Sequence, residues 1–331
     1  MKNKQIVGLV VAGIVFVFVC TSSMLATQLT NKMSNPSMID TLMEAGSTTN
    51  YDLPNESFVG VVDVVGTIMN SDSSSLFETA TYDHEWTMGY IDAMMKSDSN
   101  KAILLNVDTP GGSVYDSDEL YLKLMEYKQE TDRPVWTYMA NQACSGGYYV
   151  SMASDHIMAN RNCWTGSIGV IVSLTNLKGL YDKLGIQEID ITSGANKSMG
   201  SSGLEMTAEQ KAILQSLVDE SYEQFVGIVA SGRGMTVDQV KTIADGRIYS
   251  AKQALDLKLI DEVVDTYAMA EQKVKEEIGA IEFYTPEKDI SDWTSLFSMF
   301  QKGTVKKSEV EIMTEFLENE GNGVPMYYAK P

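Results

Sequence analysis

Cys144 and Ser145 stand side by side in NQACSGGYYV, residues 141–150, directly before Gly146 and Gly147. Either side chain is a possible nucleophile, and a helix opened by two glycines offers backbone N–H groups to an oxyanion. A serine at that junction is equally an N-cap, with the glycines present only for close packing. Cysteine is intrinsically more reactive near neutral pH. One residue earlier in the chain, however, it points away from the helix start, and buried packing suits it better. A serine needs a base. The chain has two histidines, His84 before the serine and His156 eleven residues after it. Neither fits an α/β-hydrolase, whose histidine comes late in the chain after an acid; Ala143 also replaces the first glycine of the G-x-S-x-G elbow. His156 reads most simply as the start of a surface strand. A lysine is the remaining common base. It must be neutral to accept a proton, which requires burial or a nearby cation. Lys197, in TSGANKSMGSSG (residues 192–203), stands among small residues where a loop could close over it. The ordinary reading of any one lysine is a solvated side chain.

These residues sit in a chain of 331 residues, 44% hydrophobic and 21% charged, enough for a sizeable core in one large α/β domain or two small ones. A formal charge of −20 repels phosphates, which argues against nucleic acid as a main partner and otherwise serves solubility. The three cysteines, at 20, 144 and 163, have no C-x-x-C spacing and an odd count, so no disulfide framework is expected. His84 and His156 lie far apart in sequence, so no metal site is expected either.

Lys2 and Lys4 precede an apolar run over 6–20 that extends to Ala26. That run just reaches the roughly twenty residues a bilayer span needs. Met24 and Ala26 only half fit a cleavage site, and Val19 does not suit a lipid-modified Cys20, so an uncleaved signal anchor over 1–26 is the favoured reading. The lysines before it place the remainder outside the cytoplasm. Residues 27–56 read as a linker. The rest alternates strands with helices. Strands are expected at 58–68, 102–108, 135–139, 167–173 and 187–192. Helices are expected at 79–96, 113–128, 207–231, 236–244, 251–257 and 292–300. This order argues for α/β architecture with largely parallel pairing. Domain boundaries follow at 57–290, with a C-terminal helix and flexible tail at 291–331; the tail is either loose or docked on its own domain or a partner subunit.

Five ordered motifs then carry a resemblance. TPGGSV (109–114), ACSGGYYVSMASDHIMA (143–159), TGSIGV (165–170), SGANKSMGS (193–201) and IADGRIYSAKQALDLKLIDEV (243–263) together resemble the signal peptide peptidase A family. These are Ser-Lys membrane peptidases of bacteria, with a fold similar to Clp protease and crotonase, a repeated ββα superhelix. The resemblance covers residues 57–265, and PMYY (325–328) is similar to the tail of short-form members. It implies Ser145 as nucleophile and Lys197 as general base, with Cys144 at a small-residue position. It implies an oxyanion hole from backbone N–H groups at Gly111 or Gly112 and at Gly146, and Ser167 as the hydroxyl that orients the lysine. Lys258 stands where relatives often carry glycine. A single copy of the motif set implies a ring of protomers in which the lysine comes from a neighbouring subunit. The implied substrates are remnant signal peptides at the membrane of a bacterial cell, and the implied peptidase chemistry requires no cofactor. A non-catalytic membrane scaffold that kept the fold is the alternative, and a crotonase-like acyl-CoA enzyme a third.

Overall fold

The computed structural model describes residues 51–70, 82–279, 281–287 and 326–328, all within the unit Tyr51–Pro331. The expected anchor, most of the linker and the helix at 292–300 lie outside the described residues. Among the described residues no helix is long and apolar enough to cross a membrane.

The order is β1 (Phe58–Val65), α1 (His84–Lys96), β2 (Asn100–Thr109), β3 (Gly111–Ser113), α2 (Val114–Thr131), β4 (Val135–Cys144) and α3 (Gly146–Ser151). There follow β5 (His156–Asn160), β6 (Trp164–Gly166), α4 (Lys178–Leu184), α5 (Ala208–Arg233), α6 (Val237–Lys241), β7 (Ile248–Ser250) and α7 (Ala251–Asp256). β8 (Glu262–Val264), α8 (Tyr267–Ile278), β9 (Glu282–Tyr284) and β10 (Met326–Tyr328) complete it.

The central strands are apolar on both faces because helices or further strands cover both, which is the condition for parallel pairing. β1 is buried at every position but Asp63, Val65 being half-buried, and Asp63 accepts a hydrogen bond from Asn106 on β2 at 2.7 Å. The main sheet runs β7-β6-β4-β2-β1-β9, all parallel except the β6–β7 pair. β4 is the hinge of the architecture. Its first half pairs with β5 and its last three residues, Gln142–Cys144, pair with β6. The strand therefore changes partners just before Ser145 and leaves its end held between two neighbours. This mixed α/β arrangement fits a Clp protease-like fold.

Helix starts are written in the sequence. Thr207/Gln210, Thr236/Gln239 and Ser250/Gln253 form reciprocal capping boxes at α5, α6 and α7.

Two expected strands are absent. Residues 167–173 form only an isolated bridge at Ile171, and 187–192 form no strand. Alternating apolar residues make a strand only where another strand offers hydrogen bonds, and 187–192 have none among the described residues. Ile189 and Ile191 are 74% and 99% exposed. The third expected strand, conversely, runs on from 139 to Cys144 because β6 pairs with its end.

Lys258 takes a left-handed conformation, φ 61°, where the resemblance leads to glycine. Its carbonyl accepts from Arg233 Nε at 2.8 Å, which pins the turn. Left-handed backbone costs a side-chain-bearing residue on the order of 1 kcal/mol. Lys258→Gly should therefore raise Tm by roughly 2–4 °C at this domain size, measured by calorimetry, with activity unchanged.

Candidate active site

Ser145 sits between β4 and α3 with φ 54° and ψ −113°, a rare conformation for a residue with a side chain. Its N–H donates to the Gly166 carbonyl at 2.8 Å, and its carbonyl accepts from Tyr149 N–H at 2.8 Å. The backbone is thus fixed on both sides, by β6 and by the first turn of α3. Its hydroxyl makes no capping bond and no other hydrogen bond among the described residues. The N-cap alternative therefore fails: a capping serine has extended backbone and bonds the helix N–H groups. Cys144 packs instead. It is 1% exposed, and burial pushes its thiol up to about 12, far from the thiolate a nucleophile needs.

Gly111 has φ 113°, and a Cβ there would clash with the Tyr327 carbonyl and come within 2.9 Å of the Gly146 nitrogen. A Cβ on Gly112 would run into the backbone of Ile68. The Pro-Gly-Gly turn is therefore pressed between the segment before it and the start of α3, which brings the Gly112 and Gly146 nitrogens to one spot. Gly112 rather than Gly111 points its N–H toward that spot: the other edge is used by Ile68, whose N–H bonds Gly111 and whose carbonyl takes Ser113 N–H, each at 2.9 Å. Ser113 also caps α2 through Asp116 N–H.

Ser167 follows the Gly166 carbonyl that holds Ser145, with φ 50° and 7% exposure; its N–H donates to the Arg247 carbonyl at 2.8 Å. Lys197 makes no hydrogen bond with Ser145 among the described residues. It lies in the turn after Gly194, fastened to α5 by Gln210 Nε2 to the Ala195 carbonyl at 3.2 Å, and its exposed ammonium has no partner among the described residues.

The tail supplies what sequence reasoning left open. Met326–Tyr328 runs antiparallel to β3, with Tyr327 opposite Gly112. On its other edge Met326 exchanges both backbone hydrogen bonds with Ile171, each 3.0 Å. Tyr327 is completely buried, stacked on Tyr149 at 4.8 Å and tilted against Phe225 at 4.7 Å, and its hydroxyl donates to the Ser221 carbonyl at 3.0 Å. Tyr149 is held in turn by Asp118 at 2.6 Å and Gln224 at 2.9 Å. Tyr149 and Phe225 were missed as pocket residues, although Tyr149 stands four residues past the serine, one turn down its own helix.

His84, Asp116 and Glu119 also come together, with ligand atoms within 4.8 Å of one another. Comparing the two histidines alone could not reveal this. His84 joins Tyr82 at 2.9 Å and Glu119 at 2.8 Å, while Asp116 accepts from Asn70 N–H at 3.1 Å and from the Ser113 hydroxyl. The network fastens α1 and α2 behind β3.

Residues 127–279 match the family model described as peptidase family S49. A protein of Enterococcus faecium described as a signal peptide peptidase SppA is 38% identical over 200 residues, 60% of this chain and 58% of that protein. The chain is similar to the signal peptide peptidase A family. Protease 4 of Haemophilus influenzae is 30% identical over 270 residues, covering 80% of this chain and 42% of its own. The chloroplastic serine protease SPPA of Arabidopsis thaliana is 30% identical over 210 residues, 61% of this chain and 31% of its own. The chain thus spans at most 58% of the length of these S49 relatives. The S49 match includes the strand–serine–helix junction, Ser167, Lys197 and both aromatic walls of the Tyr327 pocket.

Proposed function

We propose that this protein is a serine endopeptidase of the S49 family that hydrolyses extended peptides through Ser145. The observation that carries the reading is the seat of Met326–Tyr328. A peptide strand lies on β3 with Tyr327 opposite Gly112, beside the strained and unpaired Ser145. A substrate bound in the same way forms backbone hydrogen bonds along β3 and puts one side chain into the Tyr149/Phe225 pocket. Its carbonyl then faces the Gly112 and Gly146 N–H groups. Attack by Ser145 Oγ on that carbonyl carbon gives a tetrahedral oxyanion held by those two donors. The C–N bond breaks, the leaving amine takes the proton that the serine gave to the base, and water hydrolyses the acyl-enzyme.

The base in this reading is Lys197, oriented by Ser167 and supplied by a neighbouring subunit of a ring. Three observations support this. Lys197 is exposed and has no partner among the described residues. Ser145 and Ser167 make no side-chain hydrogen bond among the described residues. The same stretch exposes Leu180, Leu184, Ile186, Ile189 and Ile191 at 50% or more, an apolar surface that a second copy would cover. Covering it would also remove Lys197 from water, as a neutral amine requires. The apolar run at 6–26 would hold the enzyme in a bacterial membrane with the catalytic domain outside the cytoplasm. Remnant signal peptides, short, extended and apolar, are the substrate class that fits the aromatic pocket.

Peptide hydrolysis by wild type, Ser145→Ala and Cys144→Ala tests the reading. Ser145→Ala should lose at least about 10⁴-fold in kcat/KM, while Cys144→Ala stays within a few-fold. An assembled but inactive wild type would instead favour the scaffold. Because Tyr327 fills the substrate pocket, Tyr327→Ala should raise kcat/KM for short peptides; an unchanged value would mean that the tail leaves the groove without competing.

A further inference from the structure

Among the described residues three buried side-chain polar atoms have no hydrogen-bond partner: Ser145 Oγ, Ser117 Oγ and Trp136 Nε1. Ser145 is the proposed nucleophile. Ser117, in the second turn of α2, is fully buried. Its Oγ lies 2.5 Å from the point where a Cβ on Gly146 would stand, and that point is 3.1 Å from the Gly112 nitrogen and 3.3 Å from Gly111 Cα. The hydroxyl is therefore lodged where β3, α2 and α3 meet, against the backbone that carries both oxyanion donors.

Helical serines and threonines ordinarily satisfy a buried hydroxyl by bonding the carbonyl four residues back. Thr131 does so to Tyr127 at 2.6 Å, Ser151 to Gly147 at 2.7 Å and Thr87 to Asp83 at 2.8 Å. Ser117 does not. An unpaired buried hydroxyl costs stability on the order of 1–3 kcal/mol, and alanine would occupy the same helix position without that cost. A hydroxyl left uncommitted next to two oxyanion donors has one physical use: its O–H dipole can turn toward negative charge that exists only during the reaction.

We propose that Ser117 is a positioning residue of the oxyanion site, setting the spacing of Gly112 and Gly146 and directing its dipole at the charge they bind. This rests on the reading of Ser145 as the nucleophile of peptide hydrolysis. Ser117 touches no substrate atom and exchanges no proton.

The test uses the full chain, with kcat, KM and Tm measured for wild type, Ser117→Ala and Ser117→Cys on one peptide. Ser117→Ala should lower kcat about 10-fold or more with KM unchanged and Tm equal or higher. Ser117→Cys fills the same space with a weak dipole and should resemble alanine in kcat. A wild-type kcat in Ser117→Ala overturns the proposal, as does full kcat in Ser117→Cys, which would make the residue a spacer only. If Ser117→Ala loses its fold, Ser117→Cys decides: low kcat at wild-type Tm supports the proposal, and full kcat overturns it. A wild type without Ser145-dependent turnover overturns the peptidase reading itself, a result separable from any Ser117 outcome in an active enzyme.

Discussion

Co-expression of Ser145→Ala with Lys197→Ala will restore peptide hydrolysis that neither variant shows alone. Each variant by itself should lose at least about 10⁴-fold, because removal of either the nucleophile or its base disables the whole dyad. In the proposed ring, built from both variants, an intact serine meets an intact lysine wherever the two parent chains adjoin in the right order. The expectation rests on the proposed ring, and the single chain is consistent with it. Ser145 is fixed at the β4–α3 junction with its hydroxyl unpaired among the described residues, while Lys197 faces solvent in a turn whose Ala195 carbonyl is held to α5 by Gln210. If each dead variant stays dead in the mixture although mass measurement shows mixed assemblies, the lysine acts within its own chain. The loop around it would then have to move onto Ser145.

Gly112→Ala will cost both activity and stability. A Cβ there comes within 2.7 Å of Ile68 Cα and closer still to the Ile68 carbonyl, all backbone atoms that no rotamer change can clear. β3 would have to move away, breaking the two 2.9 Å hydrogen bonds between Ile68 and the Gly111–Ser113 strand and displacing the Gly112 N–H from the proposed oxyanion site. The loss of one oxyanion donor alone corresponds to roughly 10²–10³ in kcat, and Tm should fall with it. Gly227→Ala on α5 is the matched control. Nothing lies within 4 Å of its Cβ, so alanine should be neutral or mildly stabilising there, by up to about 1 kcal/mol. Equal effects at the two glycines would refute the steric argument.

What was legible in the sequence follows from the range of the forces involved. β1 and β2 could be read because a strand covered on both faces needs an unbroken apolar run. The caps of α5 and α7 are set by residues three apart. Ser145 was recognisable as a candidate, but its choice over an N-cap depended on a backbone torsion that no residue pattern encodes. The strand expected at 187–192 failed because its alternation calls for a partner strand that the described residues do not supply. Lys258 shows the reverse case, a residue whose type argues against the left-handed turn that Arg233 imposes. Ser117 was invisible: a serine in a helix says nothing until its hydroxyl is found without the carbonyl its counterparts use. The His84 network was invisible for a related reason, since its members lie 32 and 35 residues apart in sequence.

The two-sided seat of Met326–Tyr328 has a consequence for selectivity. A peptide lying there spends both of its edges, one on β3 and the other on Ile171. A strand at the rim of a folded sheet has only one edge to give, and a helix has none, because its amides already bond one another. If substrates bind in the proposed way, the groove acts as a sieve for conformational state ahead of any preference for side chains. Segments that have lost their own partners, such as cut ends, long loops and fragments shed from larger proteins, can enter, and well-folded neighbours in the same compartment are spared without an inhibitor to guard them.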